Sequence, residues 1–306
     1  MHGSDTYSHL QGWTPISFSL DREPTIEWAD LRSYRFTAPM FRDTVAQWRR
    51  DRIGAAATTG LAALRALDAS PSLDPCLIIA HGSRCGSTWL AGMMRGMDGA
   101  LTIAEPPCLV ALLSNDFRGH SALVSHDILR QMVRAFGRIR FGDEKRYVLK
   151  LSSTLTRFLP QFRRAFPGVP MIWLQRRPIE IVESNFRAPA NWLHVEPGSQ
   201  HDLAKLILQK LTVLFLAASR LVNDDMLVLD YRDLPDAAWT QVAPFIGVSL
   251  NERERERMRD IARSDSKSGL PFVQRRPREL PAPVQATVRQ VLDPLYEALG
   301  RRRVAA

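Results

Sequence analysis

Apolar and polar positions alternate in blocks along most of the chain. Short apolar runs at 76–80, 101–104, 146–151, 170–175 and 226–230 have the length and composition of buried strands. Between them lie longer stretches with helical spacing, at 87–97, 121–137, 154–166, 178–187 and 202–222. Three more follow the last strand, at 236–246, 250–263 and 283–300. This alternation predicts a three-layer α/β fold, with a mostly parallel sheet covered by helices on both faces. Sheets of that kind take ligands beyond the carboxyl ends of their strands. The loop 81–88, Glu105, the end of 146–151, Arg176 and Asp230-Tyr231 are therefore expected on one rim.

The first quarter reads differently. Residues 1–40 carry aromatics without a clear period, which predicts an irregular or short-stranded extension. From Met40 to about Leu67 the pattern is helical, weakened by Gly54 and Gly60. The Ser-, Pro- and Asp-rich stretch 68–75 reads as a loop and a boundary. The expected division is an extension, 1–70, packed on a main α/β domain, 71–306.

Composition narrows the chemistry. The 306 residues are 45% hydrophobic and 24% charged, as in ordinary globular proteins. The net charge is +9, and of 41 basic residues only Lys145, Lys150, Lys205, Lys210 and Lys267 are lysines. Arginine binds phosphate and sulfate as a two-pronged fork, so an anionic ligand is one reading of the excess; a solvated surface is the other. Basic clusters interleaved with aromatics are missing, which argues against nucleic acid. Three cysteines, Cys76, Cys85 and Cys108, without a C-x-x-C pattern suit neither a disulfide framework nor a zinc site, and fit a reducing, cytoplasmic setting. No signal peptide is visible at the N-terminus. The most apolar helix carries Lys205, Lys210 and Arg220, so no membrane span is expected. The run 252–257, Glu and Arg in alternation, reads as a solvated helix face.

The densest chemistry lies in residues 76–90, a strand running through a Gly-containing loop into a helix that starts near Ser87. Free N–H groups of a first helical turn and the helix dipole favour an anion there. Gly82 and Gly86 let the backbone approach, and Arg84 adds a fixed charge. Against the nucleotide P-loop pattern, Ser87 stands where the lysine should be and His81 where the first glycine should be. Without that lysine a triphosphate loses its main charge clamp.

Ser83-Arg84-Cys85-Gly86-Ser87-Thr88-Trp89-Leu90 resembles the 5′-phosphosulfate loop of sulfotransferases that use 3′-phosphoadenosine 5′-phosphosulfate (PAPS). Ser83 replaces that loop's proline and Cys85 its serine. Residues 171–184 resemble the family's 3′-phosphate motif, with Arg176 two residues before Pro178 and Ser184 six after it. Tyr231-Arg232-Asp233-Leu234 is similar to a third family element, which would put Tyr231 near the adenine. Taken alone, Met226–Asp230 also reads as a strand ending in a metal-holding Asp, and Tyr231 as plain strand-end packing. A basic loop near the C-terminus offers Lys267, Arg275 and Arg276 to close the 3′-phosphate. The resemblance covers about 76–280 and implies a P-loop-like sulfotransferase architecture, PAPS as co-substrate and no metal.

Sulfuryl transfer needs a base, an in-line acceptor and stabilisation of the leaving phosphate. The family often places a histidine two residues after a strand lysine; here Lys150 is present and Ser152 takes the histidine's place. Glu105, ahead of Pro106-Pro107, is the candidate base, as in family members of the tyrosylprotein type, with burial expected to raise its pKa. Its alternatives are an ion pair with Arg84 or a helix cap. Arg84 and Lys150 would flank the bridging oxygen, and Ser87, Thr88 and Gly86 would hold the 5′-phosphate. His194 and His201, in a Pro- and Trp-containing stretch, are weaker base candidates, and His81 reads as polar filler. The acceptor is expected to be a small or carrier-bound molecule. Two other readings stay open: a degenerate P-loop kinase or NTPase, and a non-catalytic nucleotide-binding scaffold.

Overall fold

The computed structural model describes residues 6–115, 125–190, 193, 200–264 and 280–302. The chain begins with β1 (Thr14–Leu20), β2 (Pro24–Ala29), α1 (Phe41–Asp51), β3 (Ala56–Gly60) and α2 (Ala62–Ala66). β1, β2 and β3 form an antiparallel sheet in that order. Then come β4 (Pro75–His81), α3 (Ser87–Met94), β5 (Ala100–Ala104), α4 (Pro107–Ser114), α5 (His126–Phe136) and β6 (Arg146–Lys150). A tight helical segment, Ser153–Phe158, runs into α6 (Leu159–Ala165), followed by β7 (Met171–Gln175), α7 (Pro178–Arg187), α8 (Gln200–Leu221) and β8 (Met226–Asp230). The C-terminal part holds α9 (Ala243–Phe245), α10 (Glu252–Ala262), α11 (Ala282–Thr287) and α12 (Asp293–Arg301).

β4 to β8 form one parallel sheet in the order β5-β6-β4-β7-β8. Successive strand residues point to opposite faces, and both faces are apolar. Leu77, Ile79, Val148, Ile172, Leu174 and Leu229 join one core with α3 and α10. Ile78, Ala80, Ile103, Tyr147, Leu149 and Trp173 join the other with α4, α5, α6 and α8. The parallel register brings His81, Ala104, Lys150, Gln175 and Asp230 to the same edge.

The five strands expected from the apolar runs form with ends shifted by one residue at most. The long helix expected from Met40 to Leu67 does not form. α1 stops where Arg52 turns left-handed (φ 51°), Gly54 follows at φ 95°, and Ala56–Gly60 pairs with β2 instead. Thr58, Thr59 and Gly60 disfavour a helix there, and Trp28 Nε1 donates to Thr59 Oγ1 at 2.8 Å across the pair. α4, between Pro107 and Ser114, begins one residue ahead of the helix expected from Cys108; proline at its first position suits a helix start. The helices expected at 236–246 and 283–300 each contain a widened turn, at Ala238–Val242 and Val288–Leu292. Pro244 and Pro294 lie just beyond, where a missing N–H breaks the regular ladder.

The N-terminal segment shares its core with the sheet: Trp13, Ile16, Phe18, Ile26 and Trp28 belong to the cluster of α4 and α5. Arg138, buried just past α5, fastens it. Its Nη1 donates to the carbonyls of Leu10 (3.0 Å) and Trp13 (2.8 Å), with the guanidinium 5.0 Å from the Trp28 ring centroid. Burial pushes its pKa down to about 10. Arg138→Leu should lower unfolding free energy by about 3 kcal/mol, since two buried carbonyls lose a charged donor. Urea unfolding measures the loss, and hydrogen exchange should place it first in β1 and β2.

Candidate active site

The backbone of the loop after β4 is strained. Among the described residues four non-glycines have left-handed φ, and three of them, Ser83 (62°), Arg84 (46°) and Glu105 (51°), stand at this edge. Such residues cost about 1–3 kcal/mol each and gather at ligand clamps. Gly82 N–H bonds the Leu174 carbonyl at 2.9 Å, and Ser83 N–H bonds His81 Nδ1 at 3.1 Å. Cys85 is buried, its thiol donating to the Leu174 carbonyl at 3.2 Å. Burial pushes that thiol up to about 12, so it stays protonated and tethers the loop to the Leu174 carbonyl. Gly86 caps α3 at φ 84°, and a Cβ there would lie 2.7 Å from the Tyr231 ring. The first α-helical bond is Leu90 N–H to the Gly86 carbonyl, 2.9 Å. Ser87 and Thr88 form the first turn of α3, where amide N–H groups and the helix dipole favour negative charge.

Beside the loop sits an ion pair. Lys150, at the end of β6, is fully buried, and its Nζ donates to Glu105 Oε1. Glu105 follows β5, its own N–H bonded to the Lys150 carbonyl at 2.8 Å. His81 Nε2 stands 3.5 Å from the same carboxylate oxygen and 3.0 Å from the Leu151 carbonyl. Burial pushes the Glu105 pKa up. The Lys150 ammonium and the hydrogen bonds from His81 and Lys150 outweigh it, holding the carboxyl well below its usual range. The expected rise from burial is thus reversed in the free protein, because Lys150 pairs with Glu105. His81 is held below its usual pKa by burial, then by the Lys150 charge, against the pull of Glu105 and the Leu151 carbonyl. Ser152, in the place of the family's histidine, bonds Thr154 Oγ1 at 3.0 Å.

A second basic group lies toward α7. Arg84 Nε donates to Ser184 Oγ at 2.9 Å. Arg176, just past β7, donates from Nε to Glu180 (2.7 Å) and from Nη1 to the Arg84 carbonyl (3.3 Å). Its guanidinium lies 4.3 Å from the Tyr231 ring centroid. Trp89 lies 6.1 Å from Tyr231, ring to ring, and its Nε1 bonds the Ala262 carbonyl at 3.0 Å. Arg84, Arg176, Ser184, Gly86, Trp89 and Tyr231 are therefore one neighbourhood, next to Glu105 and Lys150. Lys267, Arg275, Arg276 and His194 lie outside the described residues, as does the side chain of His201.

Sequence reasoning missed the partners. Glu180 carried no motif, yet it takes the Nε of Arg176. Tyr296 donates to Asp230 Oδ2 at 2.6 Å, while Arg232 donates from N and Nε to Oδ1 at 3.0 and 2.9 Å. Both oxygens of the buried Asp230 carboxylate are thus occupied, which speaks against its holding a metal. Among the described residues no cluster of three or more His, Cys, Asp or Glu side chains is placed to hold a metal ion. No helix among them is long and apolar enough to cross a membrane.

No family model matches the chain, and no curated protein does. Similar solved structures include the sulfotransferase domain from the curacin biosynthetic pathway, 16% identical, with 74% of this chain and 98% of that one covered and a TM-score of 0.49. The sulfotransferase domain of the Synechococcus PCC 7002 olefin synthase is 17% identical, with coverage of 74% and 96% and a TM-score of 0.44. A sulfotransferase from Alicyclobacillus acidocaldarius is 12% identical, with coverage of 76% and 96% and a TM-score of 0.45. Likeness at this level gives no residue a role.

The ion pair makes a measurable statement about acid. A carboxyl held low adds stability fully above its unfolded pKa, about 4.3, and loses it only as pH falls toward the depressed folded value. Lys150→Met should leave burial as the main influence and move the Glu105 carboxyl above its ordinary range. Carbon-13 carboxyl shifts would follow both titrations; a Glu105 that stays low in the variant would contradict this account of the pair.

Proposed function

We propose that the protein is a PAPS-dependent sulfotransferase that moves a sulfuryl group to a hydroxyl or amine of a small or carrier-bound acceptor. The observation that carries this reading is the meeting, at one sheet edge, of a strained anion loop, a Glu–Lys pair and an Arg84–Arg176–Ser184 cluster. An anion loop alone would suit any phosphate; the second basic group supplies a place for a second phosphate on the same nucleotide.

In this reading the donor brings an activated sulfuryl group and a 5′-phosphate as leaving group. The α3 amides with Ser83, Gly86, Ser87 and Thr88 hold the 5′-phosphate. Arg176 and Ser184 take the 3′-phosphate, exchanging their present partners Glu180 and Arg84 for it. Lys267 or Arg275 closes that phosphate. Trp89 and Tyr231 flank the adenine. Arg84 and Lys150 stabilise charge growing on the bridging oxygen. As Lys150 turns toward that oxygen it gives up Glu105, and burial then makes the carboxylate a stronger base for the acceptor proton.

Glu105→Gln should cut transfer from PAPS at least about a hundredfold, a typical scale for a lost general base, and leave binding of adenosine 3′,5′-bisphosphate nearly unchanged. Full activity in that variant would remove Glu105 from the role. Arg176→Ala should weaken adenosine 3′,5′-bisphosphate about tenfold or more while altering adenosine 5′-monophosphate much less, as loss of a charged phosphate contact implies. Calorimetric titration with the two nucleotides makes the comparison, and equal losses would count against the 3′-phosphate assignment.

A further inference from the structure

His81 is the last residue of β4 and is buried. Both of its ring nitrogens have partners. Nδ1 accepts the Ser83 N–H at 3.1 Å, so in the neutral ring the proton sits on Nε2. Nε2 then donates to the Leu151 carbonyl at 3.0 Å, with Glu105 Oε1 3.5 Å away. That oxygen is the one Lys150 holds. One imidazole therefore touches the first strained residue of the anion loop, the chain just past Lys150, and the carboxylate.

These contacts do different work. Ser83 has φ 62°, a conformation its own side chain disfavours, so its amide direction depends on an external acceptor. Protonating the ring would turn Nδ1 into a donor facing an N–H, and Lys150 stands close by. A neutral ring with one fixed tautomer satisfies every neighbour. A histidine that merely filled space would not need to join two separately strained segments, and Glu105 at φ 51° is the second.

We propose that His81 is a positioning residue: a neutral imidazole whose Nδ1 holds the Ser83 amide of the anion loop and whose Nε2–H holds the Leu151 carbonyl just past Lys150, which sets the ring against the Glu105 carboxylate. It gives no proton to the reaction. The chemistry it serves rests on the sulfuryl-transfer reading, but the coupling itself can be measured without turnover.

Two isosteric variants separate the two nitrogens. The Oδ1 of His81→Asn can stand for Nδ1, and the Nε2 of His81→Gln can stand for the donating Nε2. Inorganic pyrophosphate binding reports the loop, and the carbon-13 carboxyl shift of Glu105 reports the base. His81→Asn should keep pyrophosphate affinity within about twofold and shift the Glu105 signal. His81→Gln should weaken pyrophosphate about tenfold, the scale of one lost buried acceptor, and leave the Glu105 signal in place. Both readouts moving together in both variants, in step with a fall in Tm, would mean a packing role and overturn the proposal; so would no movement in either. Nitrogen-15 shifts of the native imidazole give a check that needs no variant: a proton on Nδ1, or on both nitrogens at neutral pH, overturns it as well. Native protein that binds neither pyrophosphate nor adenosine 3′,5′-bisphosphate would instead sink the anion-loop reading, and with it the proposed function. Anion binding that behaves as described, with no transfer to any acceptor, would sink sulfuryl transfer alone.

Discussion

Lys150 ends β6 at the carboxyl edge of the parallel sheet with no exposed surface, so its ammonium must be neutralised where it stands. Removing one partner of a buried ion pair typically costs about 3–5 kcal/mol. Glu105 is the neutralising group, and much of the local geometry follows from getting it there. β5 pairs with β6 so that Ala104 lies opposite Lys150, and the chain bends left-handed at the next residue to turn the carboxylate back over the sheet edge. The Glu105 N–H on the Lys150 carbonyl fixes that bend. Pro106 and Pro107 then force the chain away into α4, which packs on β1. A single charge requirement thus links Glu105, the sheet edge and the N-terminal segment.

The basic groups of the site obey the same constraint on a smaller scale. Arg84 holds Ser184, and Arg176 holds Glu180 and the Arg84 carbonyl. The side chains assigned to a ligand's anions already bond one another. An incoming anion must compete with these bonds, which favours ligands that replace several at once. In the proposed reading one 3′-phosphate replaces both the Arg84–Ser184 and the Arg176–Glu180 contacts. Selectivity of that kind comes from the cost of breaking existing pairs as much as from new contacts.

What the sequence made legible was whatever period and backbone chemistry control. The five strands showed as apolar runs because both sheet faces are buried, and the loop showed through Gly86 and the helix start at Ser87. The region 40–67 looks helical because Phe41, Val45 and Trp48 have helical spacing and an Ala- and Leu-rich run follows at 61–67, while pairing of Ala56–Gly60 with β2 is a long-range choice that no local window contains. The site residues converge by register, which the alternation of strands and helices carried. Their charge states did not follow. The direction of the Glu105 shift depends on Lys150 standing across a strand pair, and the role of His81 depends on which atom each ring nitrogen meets.

Asp230 shows how far such contacts can redirect a motif. Met226–Asp230 has the form of a strand that ends in a metal-holding carboxylate, and by sequence alone that reading is sound. In the fold, the residue two places on bends back so that Arg232 covers one oxygen, and α12 brings the Tyr296 hydroxyl to the other. The Asp233 carboxylate accepts the Asp230 N–H at 2.7 Å and closes the turn. Asp230 therefore shapes the turn that carries Tyr231, and Tyr231 in turn lies against Gly86 and under Arg176. The acid contributes by placing an aromatic ring beside the loop after β4. That explains why a strand with a nucleotide-hydrolase appearance can belong to a site whose positive charge comes from arginines and a buried lysine.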